Sequence, residues 1–220
     1  MISLKEISHI MNLYRSAKLK DRLIILARFL FSVHPIMDVL EKYIPKSGLI
    51  IDLGCGYGII SHLLSLSHPE RKIIGFDVSH IRIETARKTE SDNIQFQLAD
   101  IKKAQIPTCD AVIIIDILYL IPYQDQERVL LKCFEGLNQD GVMIIKDTNK
   151  STSWKFRYTY IEERIKTKLG IYGREVREKS LHYRSSEDFS ALLKRIGFDL
   201  LVIKKKHSFY PGIFYICRRK

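Results

Sequence analysis

The chain has 220 residues, of which 46% are apolar, and carries a formal charge of +11. This length and apolar share suit one sizeable globular domain with an ample core and exclude a disordered chain. Its four cysteines, Cys55, Cys109, Cys133 and Cys217, form no Cys-x-x-Cys pair, which excludes a zinc site or a disulfide framework and suits a reduced, cytoplasmic setting with no metal.

The opening Met1-Ile-Ser-Leu-Lys-Glu6 mixes charge into the start and lacks a cleavage pattern, so no signal peptide is expected. Leu4, Ile7, Ile10 and Met11 lie on one helical face. Residues 23–33 are apolar nearly all round, but Arg28 interrupts them and they fall short of the roughly 20 residues that cross a bilayer. Pro35 predicts a break or restart of the helix. From residue 48 strands and helices alternate, with strands expected at 48–53, 72–77, 94–98, 110–115 and 141–147 and helices at 59–67, 80–90 and 124–137. Such alternation implies a parallel α/β sheet covered on both faces. Residues 152–169 read as a charged, aromatic helix. Ser185-Ser-Glu-Asp188 has the form of an N-cap, and Gly197 closes the helix that follows. Two last strands, 199–206 and 212–218, are joined by too short a link for anything but an antiparallel hairpin.

The most informative stretch is Leu49-Ile-Ile-Asp52-Leu-Gly54-Cys55-Gly56-Tyr-Gly58-Ile-Ile60. It reads as a buried strand, a turn too tight for side chains, and a helix whose free N–H groups face whatever fills the turn, as in nucleotide cradles. The dinucleotide spacing Gly-x-Gly-x-x-Gly and the Gly-Lys-Ser/Thr ending of a P-loop are both absent. Asp52 beside the loop suits an ammonium better than a pyrophosphate. With these residues, residues 48–148 resemble a class I S-adenosylmethionine-dependent methyltransferase, and the closing hairpin fits that family's Rossmann-like, mostly parallel seven-stranded sheet. The resemblance implies cofactor contacts from Asp52, Gly54, Cys55, Gly56 and Gly58. Asp77, 23 residues past Gly54 at a strand end, would accept both ribose hydroxyls. Asp100, another 23 residues on, would accept from the adenine amine. Val78 and Ile101 would sandwich the ring. The product would be S-adenosylhomocysteine.

Asp116 and Tyr119 follow the fourth strand in Asp116-Ile-Leu-Tyr119, where strand ends line the crevice and face the methyl group or its acceptor. The Asn/Asp-Pro-Pro-Tyr/Phe signature of nucleobase and amide methylation is absent there. Asp116, Tyr119, His182, His207 and Asp147 are the candidate bases. Asp116, Tyr119 and His182 are favoured, Asp116 doubling as a cofactor neighbour, though Tyr119 reads equally as a packing residue and His182 as a loop histidine. Trp154, Phe156, Tyr158 and Tyr160, interleaved with Lys155 and Arg157, either stack on a planar or anionic substrate or pack their helix on the sheet.

Charge is unevenly placed. Residues 1–47 carry 8 Lys/Arg against 4 Asp/Glu, residues 48–148 carry 10 against 14, and residues 149–220 carry 18 against 7. An anionic partner therefore meets the flanks. The expected organisation is a helical extension or lid at 1–47 and a cofactor-binding domain at 48–220, with substrate recognition in 150–197. The N-terminal segment, basic and then apolar, either rests peripherally on an anionic membrane or packs as core helix. The closing segment Pro211-Gly-Ile-Phe-Tyr-Ile-Cys-Arg-Arg-Lys220 resembles small methyltransferases of lipid or polyketide metabolism. The expected activity is methyl transfer to oxygen on a small-molecule or lipid-like substrate. The alternatives are an RNA or protein methyltransferase using the basic flanks, with nucleic acid the less favoured partner, and a non-catalytic cofactor-binding subunit. Nothing in the chain marks an oligomeric state.

Overall fold

In the computed structural model, residues 2–148, 150, 154–168, 180–204 and 212–220 are described, with 30, 31, 154, 155, 166 and 167 known by backbone alone. Runs of Ile and Val form β1 (Gly48–Leu53), β2 (Arg71–Asp77), β3 (Ile94–Leu98), β4 (Cys109–Ile115) and β5 (Leu137–Thr148), which pair in parallel. β7 (Gly212–Arg218) lies antiparallel between β5 and β6 (Asp199–Lys204). The sheet order is β3-β2-β1-β4-β5-β7-β6. This is the mixed α/β, seven-stranded sheet with a terminal hairpin that the sequence implies. The order turns back between β1 and β4, which opens a crevice beyond their C-terminal ends.

Successive strand residues point to opposite faces, so each strand feeds two cores. Ile50, Ile113, Ile144 and Phe214 join one cluster with α1 (Leu4–Leu13), α2 (Leu19–Arg28), α3 (His34–Tyr43), α4 (Ile59–Ser67) and α5 (His80–Arg87). Ile51, Ile114, Ile145 and Tyr215 join the other with α6 (Tyr123–Gly136) and α8 (Ser186–Ile196). α7 (Trp154–Lys168) covers the rim of the crevice. Arg71, fully buried, fastens α3 to the sheet. Its Nη1 donates to Glu41 Oε1 at 2.8 Å and Leu64 O at 2.9 Å, and its Nε donates to Pro45 O at 2.8 Å.

The restart expected at Pro35 is present: after a π-helical turn over Phe29–Val33, α3 begins at His34 with Pro35 in its first turn, where its missing N–H is harmless. Two features differ from the sequence reading. β5 starts at Leu137, four residues early, because a bulge with Asp140 at φ 63° separates the pair Cys109–Leu137 from Ala111–Val142. Leu4 points to solvent, whereas Ile10 of the same helix is buried. The α8 caps stand as expected, with Ser185 Oγ accepting from Asp188 N at 3.1 Å and Gly197 in the left-handed region. The hairpin link 205–211 lies outside the described residues.

Candidate active site

The glycine loop joins β1 to α4 with Gly54, Gly56 and Gly58 all at positive φ. Gly58 is required by close approach, since a Cβ there would fall 2.2 Å from the Phe96 ring. Gly56 is different. A Cβ on it would meet only Arg28 Nη1 at 3.8 Å and Arg82 Cδ and Asp77 Oδ2 at 4.0 Å, so it faces open space between charged groups. Gly54 N and Cys55 N donate to Phe76 O at 2.7 and 3.0 Å, tying the loop to β2. The Cys55 thiol is buried against Gly75 and Phe96. Burial, with the Asp52 and Asp77 charges adding to it, pushes its pKa well up and leaves only its backbone to serve the loop.

Asp77 ends β2 and is buried. Its Oδ2 accepts from Gly56 N at 2.9 Å and its Oδ1 from Ser79 N at 2.8 Å. A carboxylate has about four acceptor positions, so two remain. Asp52 is also buried and accepts from Ser61 Oγ at 2.7 Å. Burial pushes its pKa up to about 6, with the Ser61 hydrogen bond and the Arg28 charge opposing and the Asp77 charge adding. Asp100, half-buried beyond β3, accepts from Lys102 N at 3.0 Å and pairs with Lys102 Nζ at 3.4 Å. Val78 packs beside Tyr119 and Tyr183, while Ile101 belongs to the core on the α6 face.

The N-terminal helices reach into this loop. Tyr14 OH donates to Tyr57 O, and Tyr57 OH donates to Asp21 Oδ1 at 2.7 Å. Arg28 extends from α2 toward Gly56. None of these partners was singled out from sequence, although Arg28 stood out as the lone charge in an apolar run.

On the other side of the crevice, Asp116 follows β4 at φ 55°, a strained setting for a non-glycine residue. Its N donates to Lys146 O at 2.9 Å, and its carboxylate pairs with Lys146 Nζ. Tyr119 sits in a 3-10 turn, Leu118–Leu120, stacks on Tyr183 at 4.5 Å and donates to Glu163 Oε2 at 3.0 Å. His182 meets Tyr119 through its backbone, with N donating to Tyr119 O at 2.7 Å. Its ring turns instead to Tyr123 and to Ser180 Oγ, 2.7 Å from Nε2. Gln126 clamps the segment by donating to Leu118 O, Ile121 O and His182 O at 2.9–3.1 Å, and Arg184 Nε donates to its Oε1 at 2.8 Å. Phe156 and Tyr160 of α7 close over Tyr183, whereas Tyr158 is exposed. Burial pushes Asp147 up to about 8. The Thr148 N–H and the Lys146 charge oppose that rise, and the Asp116 charge adds to it. Lys146, Glu163, Tyr183 and Gln126 were not foreseen. His207 and the side chains of Trp154 and Lys155 lie outside the described residues.

The sequence model of the methyltransferase domain matches residues 45–204. Among curated proteins, carboxy-S-adenosyl-L-methionine synthase of Campylobacter curvus is 29% identical over 149 residues, which take in 66% of this chain and 64% of that protein. The chain spans about half to two thirds of the length of several such relatives. The fold is shared with an O-methyltransferase family protein from Burkholderia thailandensis, with a TM-score of 0.67, 15% identity and coverage of 91% of this chain and 58% of that one. It is shared as well with magnesium protoporphyrin IX methyltransferase from Synechocystis PCC 6803 with bound S-adenosylhomocysteine. There the TM-score is 0.61 and the identity 18%, over 84% of this chain and 79% of the other.

Proposed function

Because the chain belongs to the methyltransferase domain family, whose cofactor is S-adenosylmethionine, we propose that it moves the methyl group onto an oxygen of a small apolar or lipid-like acceptor. The observation that carries this reading is the aromatic wall at the end of β4, where Tyr119 lies on Tyr183 with Phe156 and Tyr160 above them. Tyr119 and Tyr183 are buried, so the cluster acts as an apolar cover that excludes water, and its half-buried members Phe156 and Tyr160 are the ones placed to meet an apolar acceptor.

The crevice residues suit the cofactor. Gly56 faces open space, and Asp77 keeps two acceptor positions for the ribose hydroxyls. Asp52 and Arg28 offer opposite charges to the two ends of the amino-acid moiety, and Asp100 offers an acceptor to the adenine amine. S-adenosylmethionine supplies a methyl already activated on a sulfonium. The protein therefore has to align the acceptor, keep water out and remove one proton. Asp116 takes that proton from the acceptor hydroxyl as the new O–C bond forms and the C–S bond breaks, with Lys146 holding the carboxylate in place. Tyr119 is engaged on Glu163, which turns its hydroxyl away from that role.

The test is labelled-methyl transfer to a panel of phenols, hydroxylated lipids and tRNA. Transfer to a phenol or lipid is expected, falling about 10²-fold or more in Asp116→Asn while cofactor affinity holds. Full turnover by Asp116→Asn removes it as the base. Transfer to tRNA alone would favour nucleic-acid methylation, and intact binding without any transfer would favour a non-catalytic subunit.

A second reading has specific support in the names of the relatives, which are carboxy-S-adenosyl-L-methionine synthases. In it the product is itself a carboxylated S-adenosylmethionine, its carboxyl group delivered by a second substrate, and Arg28 stays with the amino-acid end of the cofactor. Mass spectrometry of the nucleoside that copurifies with the protein separates the two, because only this reading leaves a carboxylated cofactor bound.

A further inference from the structure

Helix α2 is built inside out. The side turned to the glycine loop carries Asp21, which is buried and accepts from Tyr57 OH, together with Ile25 and Arg28. The opposite side carries Leu19, Leu23 and Leu26, which are 69, 57 and 36% exposed. Their spacing of i, i+4 and i+7 makes one continuous stripe. Leucines arrayed along an outer face have no use for water, and a stripe of them marks a contact. At 100° per residue, Lys18 and Arg22 flank this stripe on one side and Lys20 on the other. Within residues 15–28 the only acidic residue is Asp21, which is turned inward.

Helix α7 carries a second exposed apolar stripe. Phe156, Tyr160 and Glu163 face inward to Tyr183 and Tyr119. Tyr158, Ile161 and Ile165 are 47, 59 and 52% exposed, again along one stripe, with the exposed Arg157, Arg164 and Lys168 on one side of it and the half-buried Glu162 on the other. Both helices sit at the rim formed by the C-terminal ends of the strands, since α2 holds the loop after β1 and α7 covers the residues after β2 and β4.

We propose that this rim docks on an anionic lipid surface, with the α2 leucines seated among the acyl chains and Arg15, Lys18, Lys20 and Arg22 paired with headgroups. Charge selects this occupant. A second copy pairing about a two-fold axis through α2 would set these cations against the same cations of its partner. The α2 stripe, edged by basic residues and free of acidic ones, has the pattern of helices that lie in a membrane interface. Since α2 is hydrogen-bonded to the glycine loop, docking brings the crevice to within about one helix diameter, roughly 10 Å, of the headgroups. No helix among the described residues is long and apolar enough to cross a membrane, so the contact is peripheral. The inference concerns where the rim rests and stands apart from the choice of acceptor.

The experiment is flotation of the full chain with phosphatidylcholine vesicles, with and without phosphatidylglycerol, at low and high salt. Binding is expected only to the anionic vesicles, and high salt should weaken it. Each of Leu19→Ser, Leu23→Ser and Leu26→Ser should lower partition about tenfold. Each of Lys18→Gln, Lys20→Gln and Arg22→Gln should lower it about fivefold. Ile161→Ser and Ile165→Ser should also weaken it, while circular dichroism and S-adenosylmethionine affinity stay unchanged in every variant. Vesicle binding indifferent to the α2 leucines would overturn the proposal. So would a dimer in sedimentation that Leu23→Ser dissolves without any vesicle binding, or retention on tRNA but not on vesicles.

Discussion

Asp52 makes a prediction that links stability to binding. Its carboxyl is pushed up to about 6 chiefly by burial, against an ordinary value of 3.8, so between these two pH values the folded protein holds a proton there that the unfolded chain gives up. A raised carboxyl favours the fold at low pH. Its contribution is complete below about pH 4, is lost as pH rises through about 6, and stays lost above that. A displacement of about 2 units corresponds to roughly 3 kcal/mol forfeited at neutral pH. Asp52→Asn removes the charge and can keep Ser61 as a hydrogen-bond donor, so at pH 7 the variant should be more stable than the wild type by about 1–3 kcal/mol, with the advantage vanishing near pH 4.

Binding should run the opposite way. The cofactor's ammonium, set against Asp52 as the family resemblance implies, favours the ionised carboxylate, so below pH 6 binding must expel a proton. S-adenosylmethionine affinity should fall about tenfold per pH unit below 6 and be flat above 7. Calorimetry at pH 5 in buffers of different ionisation enthalpy should register proton release. 5′-Methylthioadenosine, which has the adenosine but no amino acid, should bind without this dependence, and Asp52→Asn should bind S-adenosylmethionine weakly at every pH. Two outcomes would refute the reasoning. One is a flat affinity profile between pH 5 and 7, and the other is an Asn variant no more stable than the wild type at pH 7.

Gly58→Ala drives a Cβ into the Phe96 ring and should cost about 3 kcal/mol in urea unfolding, whereas Gly56→Ala should cost only about 1 and yet weaken cofactor binding tenfold or more. Equal losses of stability would contradict the assignment of Gly56 to the crevice. Glu41→Ala strands the buried Arg71 guanidinium and should cost about 3 kcal/mol, and a loss below about 1 would show that the backbone carbonyls alone satisfy it. For Asp147, raised to about 8, the stability gained by Asp147→Asn should grow from about pH 4 and level off above about pH 8. A gain independent of pH would mean that the carboxyl is not titrating in the fold.

The strands and the glycine loop were legible because their causes are local. β1, β3, β7 and α4 fall where the apolar runs and the glycines place them. The bulge in β5 was not legible, because Asn138-Gln-Asp-Gly141 has neither period and is held in the strand by the ladder with β4. The acceptor side resisted for the same reason. Asp116 and Tyr119 could be named from their place after β4, but Lys146, Glu163 and Tyr183, which decide their hydrogen bonds, come from β5, α7 and the segment before α8. Single residues carry no sign of such long-range pairings.

Helix α2 shows where periodicity itself is silent. The sequence shows only a segment apolar nearly all round with Arg28 interrupting it, which assigns no face to the leucines or to Asp21. The fold turns Asp21 and Arg28 inward, because the neighbour on the inner side is not apolar core alone. It includes Tyr57 of the glycine loop, whose hydroxyl needs an acceptor, and the open space beside Gly56, where Arg28 supplies a positive charge. A helix that turns Asp21 and Arg28 toward the glycine loop leaves Leu19, Leu23 and Leu26 on the outer side, with Lys20 and Arg22 flanking them. The apolar stripe on the surface and the polar residues at the crevice are therefore one fact seen from two sides. Disturbing the inner face, as in Asp21→Ala, should loosen Tyr57 and the loop while leaving vesicle binding intact. Disturbing the outer face should do the converse, and a variant series in which the two properties moved together would show that α2 does not keep them on separate faces.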